Sequence, residues 1–162
     1  MVKSNENPTL FYLQLAKIAF NAGLYGACII YCACALEAFL RDFAVLHPLK
    51  IGKINVEKFR RKDLLDIAEG YEIIDSNTRK KCEQIFSIRA GHAHYHLGLW
   101  EKTFKKLDSS EITEVHSMEL SQLVLKDTYD IFEEIFSQLR KKTETGDYSA
   151  KLLLEKLVVA LI

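Results

Sequence analysis

Apolar side chains recur every three to four positions along most of this chain, and that spacing predicts amphipathic helices. The first helix starts with Asn7 as N-cap and Pro8 at its first helical position, where a missing backbone N–H costs nothing. Leu10, Phe11, Leu13, Leu15, Ile18, Ala19 and Phe20 supply its apolar positions, and Gly23 and Gly26 bracket a tight turn or a break. A second helix is predicted over about 24–46, ended by His47-Pro48. Residues 49–56, with Gly52, read as a loop. A short helix over about 56–69 carries Phe59, Leu64, Leu65 and Ile67, and Gly70 stops it.

Asp75 or Ser76 caps the next helix, which turns Cys82, Ile85, Phe86 and Ile88 inwards and carries Arg89 at or near its C-terminal end. Gly91 follows, at a place where helices often stop or bend. From 97 to 110 the pattern is mixed, with Trp100 and Phe104 tucking a short helical segment onto the body. A long helix follows Asp108 or Ser109 and runs to about 142, with Ile112, Val115, Leu120, Leu123, Val124, Ile131, Ile135, Phe136 and Leu139 at helical spacing. Thr145-Gly146-Asp147 breaks it, and a last helix spans about 148–162. That helix is so rich in Leu and Val that it must complete the core or face a second subunit.

The pattern therefore predicts an all-α, up-and-down helical bundle in a single domain over 1–162, its core about 8–142 and its C-terminal helix about 148–162. A chain of 162 residues can bury a real core. Two prolines and seven glycines leave little room for the frequent turns of an all-β fold. Lys and Arg number 22 and so do Asp and Glu, so no long-range field draws the whole molecule to nucleic acid. Local basic patches remain: Arg60-Arg61-Lys62, Arg79-Lys80-Lys81, and Lys102 with Lys105-Lys106, each either a nucleic-acid contact or a solvated helix face.

The segment 1–9 is polar with no apolar signal core, and the apolar run over 24–45 is interrupted by Glu37, Arg41 and Asp42. The expectation is a protein with no membrane contact, in the cytoplasm. Cys28, Cys32, Cys34 and Cys82 form no disulfide framework and read as small hydrophobes of a reducing compartment. Glycine-rich phosphate loops, the Gly-x-Gly-x-x-Gly and Gly-x-Ser-x-Gly signatures and a basic helix-turn-helix are all absent from the sequence.

The chemistry concentrates in Ser87-Ile88-Arg89-Ala90-Gly91-His92-Ala93-His94-Tyr95-His96, which holds three of the five histidines just after an arginine. Imidazole moves protons near neutral pH, and a guanidinium supplies a fixed forked cation for phosphoryl oxygens. Read as Arg89-x4-His94 or Arg89-x6-His96, the segment resembles the Arg-x(4–6)-His signature of HEPN domains. The run Ala33-Cys34-Ala35-Leu36-Glu37-Ala38-Phe39-Leu40-Arg41-Asp42 is similar to their second core helix, and the order of elements over 8–142 also fits. Two positions depart from the family pattern: Ala90 stands where Asn often follows the Arg, and His96, not Tyr, is two residues after His94.

The resemblance implies a metal-independent endoribonuclease, a toxin or defence component, acting through an Arg/His cleft at the axis of a homodimer and needing no cofactor. In that scheme His94 is the acid/base and Arg89 stabilises phosphoryl charge, with His96 or His92 assisting and Tyr95 holding RNA. Glu37 orients the motif or is only a boundary position on its helix. The resemblance also implies a second class, a non-catalytic module that binds RNA, a nucleotide or a nucleotidyltransferase-type antitoxin. A third reading comes from spacing alone: His92 and His96 stand i, i+4, as in zinc-binding helices, with His116 or Glu37 as a third ligand. No Glu follows His92, so the metalloprotease form is absent. The histidines also read as plain capping or surface residues.

Overall fold

The computed structural model describes residues 6–46, 58–94 and 114–161, with the backbone alone at 90–94, 114–117 and 156–161. Among the described residues the chain is an all-α bundle of six helices with no strand: α1 (Pro8–Asn21), α2 (Tyr25–Leu46), α3 (Arg61–Gly70), α4 (Ser76–His94), α5 (Glu114–Glu144) and α6 (Tyr148–Leu161). None of them is long and apolar enough to cross a membrane.

The local signals act as their chemistry requires. Asn7 caps α1, its Oδ1 accepting the Leu10 N–H at 3.1 Å with Pro8 next in line. Asp75 starts α4 by accepting the Thr78 N–H at 2.7 Å, and Asp147 starts α6 by accepting from Ala150 at 3.0 Å. The turn after α1 closes with Leu24 N–H on the Ala19 carbonyl (2.8 Å) and Gly23 N–H on Phe20 (3.0 Å), with Gly23 at φ +75°. The same bond pattern closes α5, where Gly146 takes φ +91°. It also closes α3, but there the left-handed position falls on Glu72, at φ 59°, and Gly70 is simply the last helical residue.

α2 is the axis of the bundle and packs against every other described helix. Its buried residues, Cys28, Ile29, Cys32, Ala33, Ala35, Leu36, Phe39, Leu40, Phe43 and Ala44, cover about half of its circumference, a broad apolar face. Phe39 meets Phe132 of α5 edge-on at 5.8 Å, and Phe43 meets Tyr71 in the same way at 5.8 Å. Cys28, Cys32 and Cys82 are free thiols inside this core, and Cys34 is half-buried. α6 packs on α1, α2 and α5, with Ala150 and Leu153 buried and Leu154 against the core, so its described half completes the bundle.

Several expectations need correction. Gly91 does not stop α4, which runs on to His94; one glycine inside a helix costs only about 1 kcal/mol against alanine, which the flanking turns absorb. The short third helix begins at Arg61, with Asp63 accepting the Arg60 N–H at 2.9 Å, and so starts five residues later than its apolar pattern suggests. Ile18 and Leu123 keep helical spacing yet are exposed, because the buried stripes of α1 and α5 are narrower than the apolar ones. The loop over 49–56, the segment 97–110 and the start of the long helix lie outside the described residues.

Candidate functional site

One face of α2 is not given over to the core. Cys34, Glu37, Ala38 and Arg41 stand at i, i+3, i+4 and i+7 along it, and all are half-buried. Together with Tyr12 of α1 and Arg89 of α4 they line a pocket of about 320 Å³.

Glu37 lines it and is held by three guanidinium groups from three helices. Arg41 Nη2 donates to its Oε1 at 2.9 Å, while Arg61 Nε and Arg89 Nη1 donate to its Oε2 at 3.0 and 3.2 Å. Two of the arginines have a further contact that holds them. Arg41 also donates to the Phe59 carbonyl at 3.1 Å, tying α2 to the segment that leads into α3. Arg61 lies over the Phe86 ring of α4 at 5.3 Å, a cation–π contact. Arg41, Arg61 and Arg89 share one carboxylate, and among the described residues Arg61 gives up only its Nε and Arg89 only its Nη1. Their other N–H donors suit a further anion, in the forked geometry that matches phosphate.

Electrostatics decide what this cluster can do. Burial alone would raise the Glu37 pKa, but the hydrogen bonds and charges of Arg41 and Arg61 outweigh it and hold the carboxyl below its ordinary range. Glu37 is therefore a fixed anion near neutral pH and no proton donor. Burial pushes the Cys34 thiol up, Glu37 adds to that and Arg61 opposes it, so Cys34 stays a neutral thiol, unsuited to nucleophilic attack. The cluster can bind and orient an anion. A group that moves protons has to come from beyond it.

The residues singled out in sequence divide accordingly. Arg89 and Glu37, 52 positions apart, are brought into direct contact. His92 and His94 stand on the last turn of α4, where only the backbone is described. In that unbroken helix position 92 shares the side of position 89, and position 94 lies about 140° around the axis. Tyr95 and His96 are outside the described residues, and no side chain is described for His116. Glu37 makes a poor metal ligand, because three guanidinium groups surround it where a cation would have to approach. Among the described residues no group of three His, Cys, Asp or Glu side chains is placed to hold a metal.

The basic triplets also separate. Arg61 of the first bonds Glu37 from outside the pocket lining, whereas Arg79 of the second is consumed by Asp66, Glu69 and Glu83 at 2.7, 2.8 and 3.0 Å. Lys102, Lys105 and Lys106 lie outside the described residues. Arg41, Tyr12 and Cys34 were not singled out in sequence as site residues, and Arg61 stood out only as part of a basic triplet. Only Glu37-x3-Arg41 carried a local signal, an i, i+4 pair of opposite charges. The chain matches no protein-family model, no curated protein and no solved structure.

Proposed function

We propose that this chain is a HEPN-type domain that holds an RNA phosphodiester on the arginines around Glu37 and cleaves it without a metal. One observation carries the reading: three helices converge their guanidinium groups on a single carboxylate at the wall of a pocket. Phosphate recognition is what such a cluster does best. Arg89 belongs both to this cluster and to the Arg-x(4–6)-His segment, which joins the anion site to the imidazoles. In this reading a histidine of 92–96 moves the proton as the 2′-hydroxyl attacks its neighbouring phosphate, and a homodimer brings two such segments to one cleft. His94 and His96 are its candidates for acid and base.

The experiment is incubation of the purified chain with single-stranded RNA in EDTA, with analysis of the product ends. Fragments ending in 2′,3′-cyclic phosphate are expected, and His94→Ala or His96→Ala should lower the rate by about 10²–10⁴-fold. If both variants cleave like the parent, the histidine assignment fails. Sedimentation at micromolar concentration should show a dimer, and a monomer throughout overturns the shared cleft.

A second reading, RNA or nucleotide binding without cleavage, draws on the continuity of α4 through Gly91, which sets position 94 away from position 89. RNA left intact but bound with a steep salt dependence supports it over cleavage.

A further inference from the structure

The aromatic wall of the pocket is not used by phosphate recognition, and it is built with some care. Tyr12 lines the pocket from α1, on the element farthest in sequence from Arg89. Its ring is fixed by two neighbours: Tyr31 of α2 stacks near-parallel at 6.4 Å and 23°, and Phe11 meets it edge-on at 5.4 Å and 67°. Between Tyr12 and the arginines the floor is made of Cys34 and Ala38, two of the smallest side chains α2 could place there. Larger residues at those positions would fill the space.

We infer that this pocket takes a single nucleotide unit, its base stacked on Tyr12 and its phosphate on Arg89 beside Arg41. The inference rests on the phosphodiester reading above and adds to it the residue that contacts the base. About 320 Å³ is at the small end of ligand-sized pockets, room for one nucleotide and not for a run of them. Every base has a π-face, so a lone aromatic platform accepts all four and grades them by stacking strength. A ring already locked by Tyr31 and Phe11 loses little conformational freedom when a base lands on it. Arg61, behind Arg89 on the same Glu37 oxygen, adds charge and holds the guanidinium array in place.

The test is calorimetric titration of the full chain in EDTA with AMP, GMP, CMP and UMP, and separately with ribose 5-phosphate, which has the phosphate and lacks the base. Parent protein should bind the nucleotides more tightly than ribose 5-phosphate, the purines best. Tyr12→Leu keeps an apolar side chain without a ring face. It should weaken nucleotide binding by about ten- to hundredfold and leave ribose 5-phosphate unchanged, while Tyr12→Phe should bind like the parent. Ala38→Leu, which fills the floor without touching Tyr12, should weaken the nucleotides as well. If Tyr12→Leu weakens both ligands equally, or neither, the base platform is wrong; the phosphate reading then survives provided Arg89→Ala abolishes ribose 5-phosphate binding. If the parent binds neither ligand, both readings fall together.

Discussion

Two ion clusters on this bundle are near mirror images in charge. At one, Glu37 gathers Arg41, Arg61 and Arg89; at the other, Arg79 gathers Asp66, Glu69 and Glu83. Their hubs are alike, with 21% of the Glu37 side chain exposed and 19% of Arg79. Their satellites differ. The three arginines are 23–36% exposed, three helices bring them to one carboxylate and two of them, Arg41 and Arg89, line a pocket, whereas the three carboxylates are 39–51% exposed and only α3 and α4 are joined. Satellites in water are screened and their pairs contribute little each, which suits a staple. Satellites half out of water around a cavity keep most of their field, which suits a site. The difference lies in what the satellites face, not in the number of ion pairs.

The largest effect should come from cutting one arm of each cluster. On the proposed function, Arg89→Ala removes a guanidinium from the proposed phosphate site and should slow RNA cleavage by about 10²–10³-fold, the usual cost of losing one preorganised donor to transition-state charge. Arg79→Ala should leave the rate per folded molecule unchanged. Rates measured on single-stranded RNA, normalised to the folded fraction by circular dichroism, decide the matter. Equal losses in the two variants would erase the distinction between site and staple.

Neutralising the hub of the site is the next step down. Glu37→Gln leaves three guanidinium groups without their shared counter-ion and should cost about 1–3 kcal/mol in urea unfolding. Phosphate should restore more stability to this variant than to the parent, since it supplies the missing anion. The pH dependence carries the same signature. The Glu37 pKa is depressed in the fold, so its contribution is fully present above the unfolded value near 4.5 and is lost as pH falls through the lower folded value. The parent should therefore lose stability over that acid range, and Glu37→Gln should lose less. An identical acid limb in the two proteins would mean that the arginines do not hold the carboxylate.

Arg79→Met tests the staple by itself. Its three pairs reach solvent-exposed carboxylates and are worth a few tenths of a kcal/mol each, so the expected loss is about 1 kcal/mol. Salt should shrink that loss. A cost several times larger would show that the α3–α4 joint relies on Arg79 far more than its exposure suggests.

How far each cluster could be read from sequence follows from the kind of signal each residue carries. Helix starts at Pro8 and Ser76 were legible, because Asn7 and Asp75 are side chains whose capping chemistry is local, while the start at Tyr148 was legible through the Thr145-Gly146-Asp147 break, and the Asp147 cap was not read. Gly23 and Gly146 were legible as breaks for the same reason, and Gly91 misled because glycine permits a break without compelling one. Arg89 and Glu37 stood out through a resemblance of pattern. Their contact across 52 positions is tertiary, and no periodicity could have shown it. Arg61 and Arg79 sat in equivalent-looking basic triplets, yet one joins two other arginines on Glu37 and the other gathers three acids. Local composition could not separate them, since the partners that give each its role belong to other helices.

The smallest effect concerns the joint that the staple holds. Glu72 occupies the left-handed position closing α3, at φ 59°, where Gly23 and Gly146 serve in the two equivalent turns. A side chain with a Cβ is disfavoured there by roughly 1–2 kcal/mol relative to glycine, partly offset by the extra freedom glycine gains when unfolded. Glu72→Gly should therefore raise stability by about 0.5–1 kcal/mol in urea unfolding. Glu72 and Arg79 share no ion pair, so the gain should add to the Arg79→Met loss and cancel much of it. The RNA cleavage and ribose 5-phosphate binding proposed above should not move, because the relaxed turn lies on the staple's side and the proposed phosphate site draws nothing from it. A double variant restored in stability and unchanged in cleavage would confine the α3–α4 joint to architecture. A change in cleavage would mean that strain at Glu72 reaches Arg61 through α3, and that staple and site act as one unit.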